Sequence, residues 1–267
     1  MGWDQAMMMF QPVGGMDRIP RALAERIRGR IRYGAEVRSV TVGADDVRVV
    51  LVDRRTGDGL EITADYCICS IPPMVLSRIS NNFPAQTQAD VASLQAMPTG
   101  KLGLQFRRRF WEEEEGIFGG ITETNTDIGT IWYPSSGYLT KRGVIIGVYN
   151  YLADAEAFDA MTPAQRERRA LEVGRAVHGR AYVDEFETSF SAQWRRVRYS
   201  EGGWVVWPDR AGPAGAIYRR MQEPQGRLYF AGDHMSYVTS WQHGAFESAR
   251  LVVMQLHQRV LAAEEAA

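Results

Sequence analysis

The residues best suited to chemistry lie near the C-terminus, in Leu228-Tyr229-Phe230-Ala231-Gly232-Asp233-His234 and in Ser240-Trp241-Gln242-His243-Gly244-Ala245. A buried strand that ends in Gly-Asp sets a carboxylate at the carboxyl edge of a sheet, where α/β folds bind their ligands. Asp233 would there accept hydrogen bonds from ligand hydroxyls. Gln242-His243-Gly244-Ala245 then opens a helix. Its small residues would let a planar ligand approach the free N–H groups and the positive end of the helix dipole, which would stabilise negative charge developing on that ligand. A plain strand-turn-helix with a capped end has the same spacing, and spacing alone leaves both readings open.

Lys101 stands at the start of an alternating run, Leu102, Leu104 and Phe106, that leads to Phe110-Trp111. A lysine at the end of a buried strand, next to aromatic rings, has its charge disfavoured and can relay a proton; an isolated strand-end lysine is more often exposed. Gly202-Gly203-Trp204 by itself reads as a turn followed by a core aromatic. Cys67 and Cys69, the only two cysteines, would share one face of a strand, too far apart to bridge easily, and read as core thiols. The sequence has no Cys/His cluster with metal spacing and no Gly-x-Ser-x-Gly elbow. His234 and His243 fall near the presumed ligand, where a lone histidine is more often structural. His178 and His257 are expected at the surface or boundary of helices.

The elements that must position these residues are legible in outline. Asp17 is placed as an N-cap before Leu23, Ile27 and Ile31 at helical spacing. Residues 36–42 and 47–52 alternate around Gly43-Ala44-Asp45-Asp46 and predict a hairpin. Ala64 to Ile71 is nearly continuous in apolar residues up to Pro72-Pro73, which predicts a strand buried on both faces. A polar, helix-compatible stretch follows to about Leu94. Residues 143–149 form a further β-branched run, and Thr162-Pro163 opens a helix that runs to His178. The chain closes with a strand at 227–231 and a helix from about 242 to 262.

Several of these segments resemble the flavin monoamine oxidase and L-amino-acid oxidase family. The C-terminal stretch is similar to the family's "YFAG, acid, aromatic, x, x, GA" pattern, with Asp233 as the acid, Trp241 as the aromatic and Gly244-Ala245 as the small pair. Gly15-Met16-Asp17 with Pro20 resembles the "GMD, x, x, P" element, Ala35-Glu36-Val37 the strand beside the adenine, and Lys101 to Phe110-Trp111 the "K, x, x, L, x, F … FW" element. Tyr199 to Trp204 resembles the segment that carries one wall of an aromatic cage, and Trp132-Tyr133-Pro134 a "YYP" element near the substrate.

The resemblance implies FAD as cofactor, bound by Val37, Gly232, Asp233, Trp241, Gln242 and Ala245, with the acid on the ribityl chain. It implies Lys101, Trp204 and Trp241 as catalytic residues, the lysine holding a water against the flavin N5, and Trp132, Tyr133, Trp204 and Trp241 around the substrate. The implied activity is oxidation of an L-amino acid to a 2-oxo acid, ammonia and hydrogen peroxide. A monoamine or polyamine oxidase, an enzyme like tryptophan 2-monooxygenase, or a non-catalytic fragment or assembly partner are the alternatives. The implied fold is α/β with an α+β insertion: a partial FAD-binding, Rossmann-like domain of amine-oxidase type in residues 1–95 and 201–267, and a mixed-sheet substrate domain in residues 96–200.

The G-x-G-x-x-G turn that grips the dinucleotide phosphates occurs nowhere in the 267 residues. A partner chain that supplies it is therefore expected, and homo-oligomerisation is open. With charged residues at 24% and a net charge of -1, no nucleic-acid or membrane partner is indicated. No apolar stretch reaches the ~18 residues of a membrane span, and the N-terminus does not read as a signal peptide, so a cytoplasmic location is expected.

Overall fold

The computed structural model describes residues 10–207 and 215–265. The chain divides into two compact units, one formed by Met1–Ala96 with Trp204–Ala267 and the other by Met97–Gly203.

The first unit opens with helix α1 (Arg18–Arg26). Asp17 does not cap it; its carboxylate pairs instead with Arg21, 2.8 Å away and one turn on. The helix stops before Ile31 because Gly29 takes φ +85°, a left-handed turn that glycine adopts without cost. Strands β1 (Ala35–Val42) and β2 (Val47–Asp53) form the antiparallel hairpin that their alternation predicts, and β3 (Gly59–Ala64) extends it as an exposed edge. Next come β4 (Cys67–Cys69), helix α2 (Pro73–Leu76), β5 (Ser80–Asn81), helix α3 (Ala85–Ser93) and β6 (Gln95–Ala96), with β5 parallel to β1. The expected buried strand over residues 64–71 is thus divided. Ala64 closes β3, β4 keeps three residues with β13 as its one neighbour among the described residues, and Ile68 is 40% exposed.

The second unit is one sheet with its helices. Its elements are β7 (Thr99–Phe106), α4 (Phe110–Glu113), β8 (Ile121–Glu123), β9 (Thr130–Trp132), β10 (Gly143–Tyr151), α5 (Leu152–Ala160), α6 (Pro163–His178), α7 (Ala181–Asp184) and β11 (Phe186–Gln193). The strands lie in the order β11-β7-β10-β9-β8 and pair antiparallel, with one isolated parallel bridge between Gly129 and Tyr149. Period-two alternation sends Leu102, Leu104 and Phe106 into a core with Phe110, Trp111, Phe158 and Tyr182, and leaves Lys101, Gly103 and Gln105 on the other face. Thr162 caps α6 through a reciprocal pair of bonds with Gln165, as Thr-Pro predicts.

The chain then returns to the first unit. Strand β12 (Val205–Val206) pairs antiparallel with β6, helix α8 (Gly215–Gln222) docks on α3 through a bidentate Arg220–Asp90 pair at 2.7 Å, and β13 (Leu228–Phe230) lies parallel to β4. Helix α9 (Gln242–Glu265) closes the described residues. Leu228 and Phe230 enter a core with Val40, Leu76, Phe83 and Met221, while Tyr229 and Ala231 meet Val252 of α9. Among the described residues no helix is long and apolar enough to cross a membrane.

Candidate active site

In the first unit the candidate residues gather where β13 ends. Gly232 has φ +132° and its N–H donates to Ser248 Oγ at 3.2 Å, which ties the strand end to α9. A Cβ at Gly232 would lie 2.6 Å from the His234 ring, so glycine is required there. Asp233 is half-buried. Its Oδ2 accepts the Ser240 N–H at 2.8 Å, and Ser240 sits in the left-handed region at φ +71°. No described residue donates to Asp233 Oδ1, so that oxygen can take a ligand hydroxyl.

The start of α9 lies just beyond this loop. The N–H groups of Gln242, His243 and Gly244 have no acceptors among the described residues. Gln242 Nε2 donates to the Met16 carbonyl at 3.2 Å, and its Oε1 is buried with no partner. Such an orphaned acceptor costs roughly 1–3 kcal/mol unless something donates to it. Trp241 is 40% exposed and accepts the Ala245 N–H at 3.3 Å, and Ala245 is half-buried.

One expectation about this helix start is corrected. A Cβ on Gly244 would lie 2.2 Å from Ser236 Oγ and 2.3 Å from the Val238 carbonyl, so the chain's own loop, rather than a ligand, fills the space that Gly244 leaves. His234 faces inward. Burial pushes its imidazole down to about 4, and its carbonyl accepts from Trp207 Nε1 at 2.8 Å. Trp204 is half-buried just before β12 and follows two residues with positive φ, Tyr199 at 73° and Glu201 at 55°. Val37 is half-buried at a bulge in β1 and packs on the unit's core.

In the second unit Lys101 lies opposite Tyr149 in the β7–β10 ladder, with its Nζ 4.1 Å from the centre of that ring. Burial lowers the Lys101 ammonium from its ordinary value. Tyr149 in turn contacts Tyr151 (4.7 Å between centroids) and Trp132 (5.6 Å). Trp132 is held by a bond from its Nε1 to Thr130 Oγ1 at 2.8 Å. The same sheet face carries a groove of about 340 Å³ lined by Lys101, Gly103, Gln105, Val144, Ile146 and Phe190.

Lys101 and Trp132 are therefore brought together on one face, and Tyr133 is not with them. It follows directly after β9, points into the core at 4% exposure, and bonds through its hydroxyl to Thr122 Oγ1 and His178 Nε2, each at 2.8 Å. Strand alternation makes it impossible for both neighbours to line one face. His178 lies at the boundary of α6, with its side chain turned inward at 2% exposure and Nδ1 2.7 Å from Glu115 Oε2. Tyr151 and Thr130 carry no motif. Tyr151 contacts the Tyr149 ring and Thr130 Oγ1 donates to the Tyr149 carbonyl at 3.3 Å, and the ladder register pairs Tyr149 with Lys101.

Residues 4–257 match the model of the flavin-containing amine oxidoreductase family. The chain belongs to that family. It is 34% identical over 248 residues to the flavin-dependent L-tryptophan oxidase of Lentzea aerocolonigenes, covering 90% of this chain and 51% of the relative. It is 29% identical to the L-amino-acid oxidase of Mus musculus, covering 92% and 38%. The chain thus spans about half the length, or less, of these curated relatives. Among solved structures, a putrescine oxidase variant superposes with a TM-score of 0.80 at 18% identity, covering 92% of this chain and 53% of that one. Cyclohexylamine oxidase from Brevibacterium oxydans gives 0.75 at 17%, covering 91% and 53%. These likenesses show the fold, α/β with a second sheet inserted. FAD is the cofactor that membership implies, and the residues at the end of β13 fit it: an open carboxylate oxygen, an orphaned amide oxygen and a free helix N-terminus meet the needs of a hydroxylated, anion-forming ring system.

Proposed function

We propose that this chain is the flavin- and substrate-bearing part of an FAD-dependent oxidase that deaminates an L-amino acid, giving a 2-oxo acid, ammonia and hydrogen peroxide. The observation that carries the reading is the pairing of Asp233, with one carboxylate oxygen open, with the uncapped start of α9 at Gln242, just beyond the loop that Asp233 anchors through Ser240. Bound FAD would take two electrons from the amine carbon and pass them to oxygen. Asp233 would hold the ribityl hydroxyls, the α9 N–H groups would stabilise negative charge on the ring, and Val37 would meet the adenine. Trp204 and Trp241 would orient the substrate and exclude water. Lys101, its ammonium already disfavoured by burial, would hold a water and move a proton at Nζ during reaction with oxygen. The L-amino-acid and L-tryptophan oxidases among the relatives favour an amino acid over a simple amine.

The test is stopped-flow kinetics of flavin-loaded protein with L-tryptophan, followed by product analysis. Lys101→Met should slow reoxidation by oxygen by roughly a hundredfold or more while substrate reduces the flavin within a few-fold of the wild-type rate. An unchanged oxidative rate would remove the role given to Lys101. An aldehyde from an amine, or an amide from the amino acid, in place of the 2-oxo acid would overturn the substrate class.

A further inference from the structure

The end of the second unit's sheet holds two buried side-chain amides whose bonding capacity the protein itself leaves unused. Gly100 of β7 pairs with Asn150 of β10 on one side and with Gln193 of β11 on the other. Alternation along β7 puts Gly100 on the core side of the sheet with Leu102, and Asn150 and Gln193 are 1% and 4% exposed. A Cβ on Gly100 would lie 2.6 Å from Gln193 Oε1 and 2.7 Å from Asn150 Oδ1. Both amides therefore converge over the one residue of this row that has no side chain.

Their unmet needs are definite. Asn150 Nδ2 donates to the Asp127 carbonyl at 2.9 Å, which fixes the orientation of that amide and leaves Oδ1 an acceptor without a donor. Both polar atoms of the Gln193 amide are buried without a partner, so turning the group over changes nothing: one oxygen and one NH2 stay unmet. Groups of this kind are expensive to leave dry, and protein interiors meet them with other protein groups or with water. A guest here must donate to two oxygens and accept from a nitrogen. A metal or ammonium ion has no acceptor for the N–H, a fully ionised anion has no donor for the oxygens, and water has both.

We infer that Asn150 and Gln193 hold buried water on the core side of the sheet, and that this bridged pair of amides is a positioning device for Lys101. The row it locks adjoins the lysine's own. Lys101 follows Gly100, and its ladder partners Tyr149 and Ala192 directly precede Asn150 and Gln193. The ladder ends here as well: β7 begins at Thr99, β10 gives way to α5 after Tyr151, and β11 stops at Gln193. Backbone bonds at the end of a sheet open most readily, because no further rows hold them. Water bonded to both outer strands across Gly100 closes that end. It thereby keeps Lys101 Nζ 4.1 Å from the centre of the Tyr149 ring, in the half-buried position that holds the ammonium below its ordinary value. This water lies on the opposite face of the sheet from the Lys101 side chain and is separate from the one that Lys101 is proposed to hold. The consequence for catalysis rests on the role proposed above for Lys101, whereas the water and the lysine's titration belong to the chain with or without flavin.

The sequence contains only two lysines, Lys101 and the exposed Lys141. Lysine isotopically labelled at Cε therefore gives two NMR signals, and each reports the titration of its own ammonium. Water-edited NMR of the flavin-free chain should show a long-lived water beside the Gln193 side-chain NH2. Gln193→Met keeps the volume and removes the amide. Its urea midpoint should fall, because Asn150 Oδ1 loses its bridge; were the amides dry, deleting two orphaned atoms would raise the midpoint or leave it unchanged. The Lys101 signal should titrate at least about half a pH unit higher in this variant, with Lys141 unmoved, as the loosened strand end admits solvent. Asn150→Leu should move Lys101 the same way, which keeps the test in force if Gln193→Met does not fold. No bound water at Gln193, a midpoint that rises or stays in Gln193→Met, or a Lys101 titration unmoved by either substitution would each overturn the inference. Wild-type reoxidation in flavin-loaded Lys101→Met, beside a shifted Lys101 signal in Gln193→Met, would remove the lysine's proposed role and leave the amide clamp standing. Slowed reoxidation in Lys101→Met beside an unmoved Lys101 signal in Gln193→Met would do the reverse.

Discussion

His234 shows how one buried side chain sets a stability that depends on pH. Its imidazole titrates near 6.5 in an unfolded chain, and burial brings it down to about 4 in the fold, against a smaller opposing pull from the Asp233 carboxylate. Between those values the unfolded chain binds a proton that the folded one refuses. This contribution is therefore fully present above about pH 6.5 and is lost as the pH falls toward 4, each unit of separation being worth about 1.4 kcal/mol. Urea melts at about pH 7 and about pH 5 should show a larger loss for the wild type than for His234→Leu. Equal losses in the two proteins would mean that His234 is not held neutral. At the same scale Lys101 and Asp233 were readable from motifs, whereas Tyr151 and Thr130 were not, because they relate to Lys101 only through Tyr149, whose pairing with Lys101 depends on a strand register that no local pattern encodes.

Elements depend on how closely their backbones approach. The start of α9 is pinned to the loop before it, since Gly244 lies against Ser236 and the Val238 carbonyl. Gly244→Ala should push that loop away, destabilise the protein by about 1–3 kcal/mol and weaken flavin retention together with it. Chemical denaturation and a flavin-release assay would check both, and an unchanged midpoint would show that the loop yields freely. The hairpin of β1 and β2 and the capping box of α6 followed their local signals because turn residues and caps act within a few positions. Strand β4 departed from its signal for the opposite reason. A continuous apolar run specifies burial on both sides, but burial requires neighbours, and the described residues give β4 one.

At the scale of the molecule the two units differ in how the chain builds them. Residues 97–203 are contiguous and hold a core of their own, from Leu102 and Phe106 through Phe158 to Tyr182, while the other unit is assembled from two separated stretches. Expressed alone, residues 97–203 should fold, giving native-like circular dichroism and one cooperative thermal transition. A featureless melt would show that the second unit depends on the rest of the chain. The sequence by itself determined the family, the cofactor it implies, the order of most elements and the carboxylate at the end of the last strand, because glycines, caps and alternating apolar residues act over short distances. Only the tertiary structure decided that Trp132 shares a face with Lys101 while Tyr133 lies in the core and bonds to His178, that the loop before α9 fills the space at Gly244, and that among the described residues β4 pairs with β13 alone. Those outcomes depend on register, on packing between distant segments and on which backbone groups find partners, and none of these is local to the residues concerned.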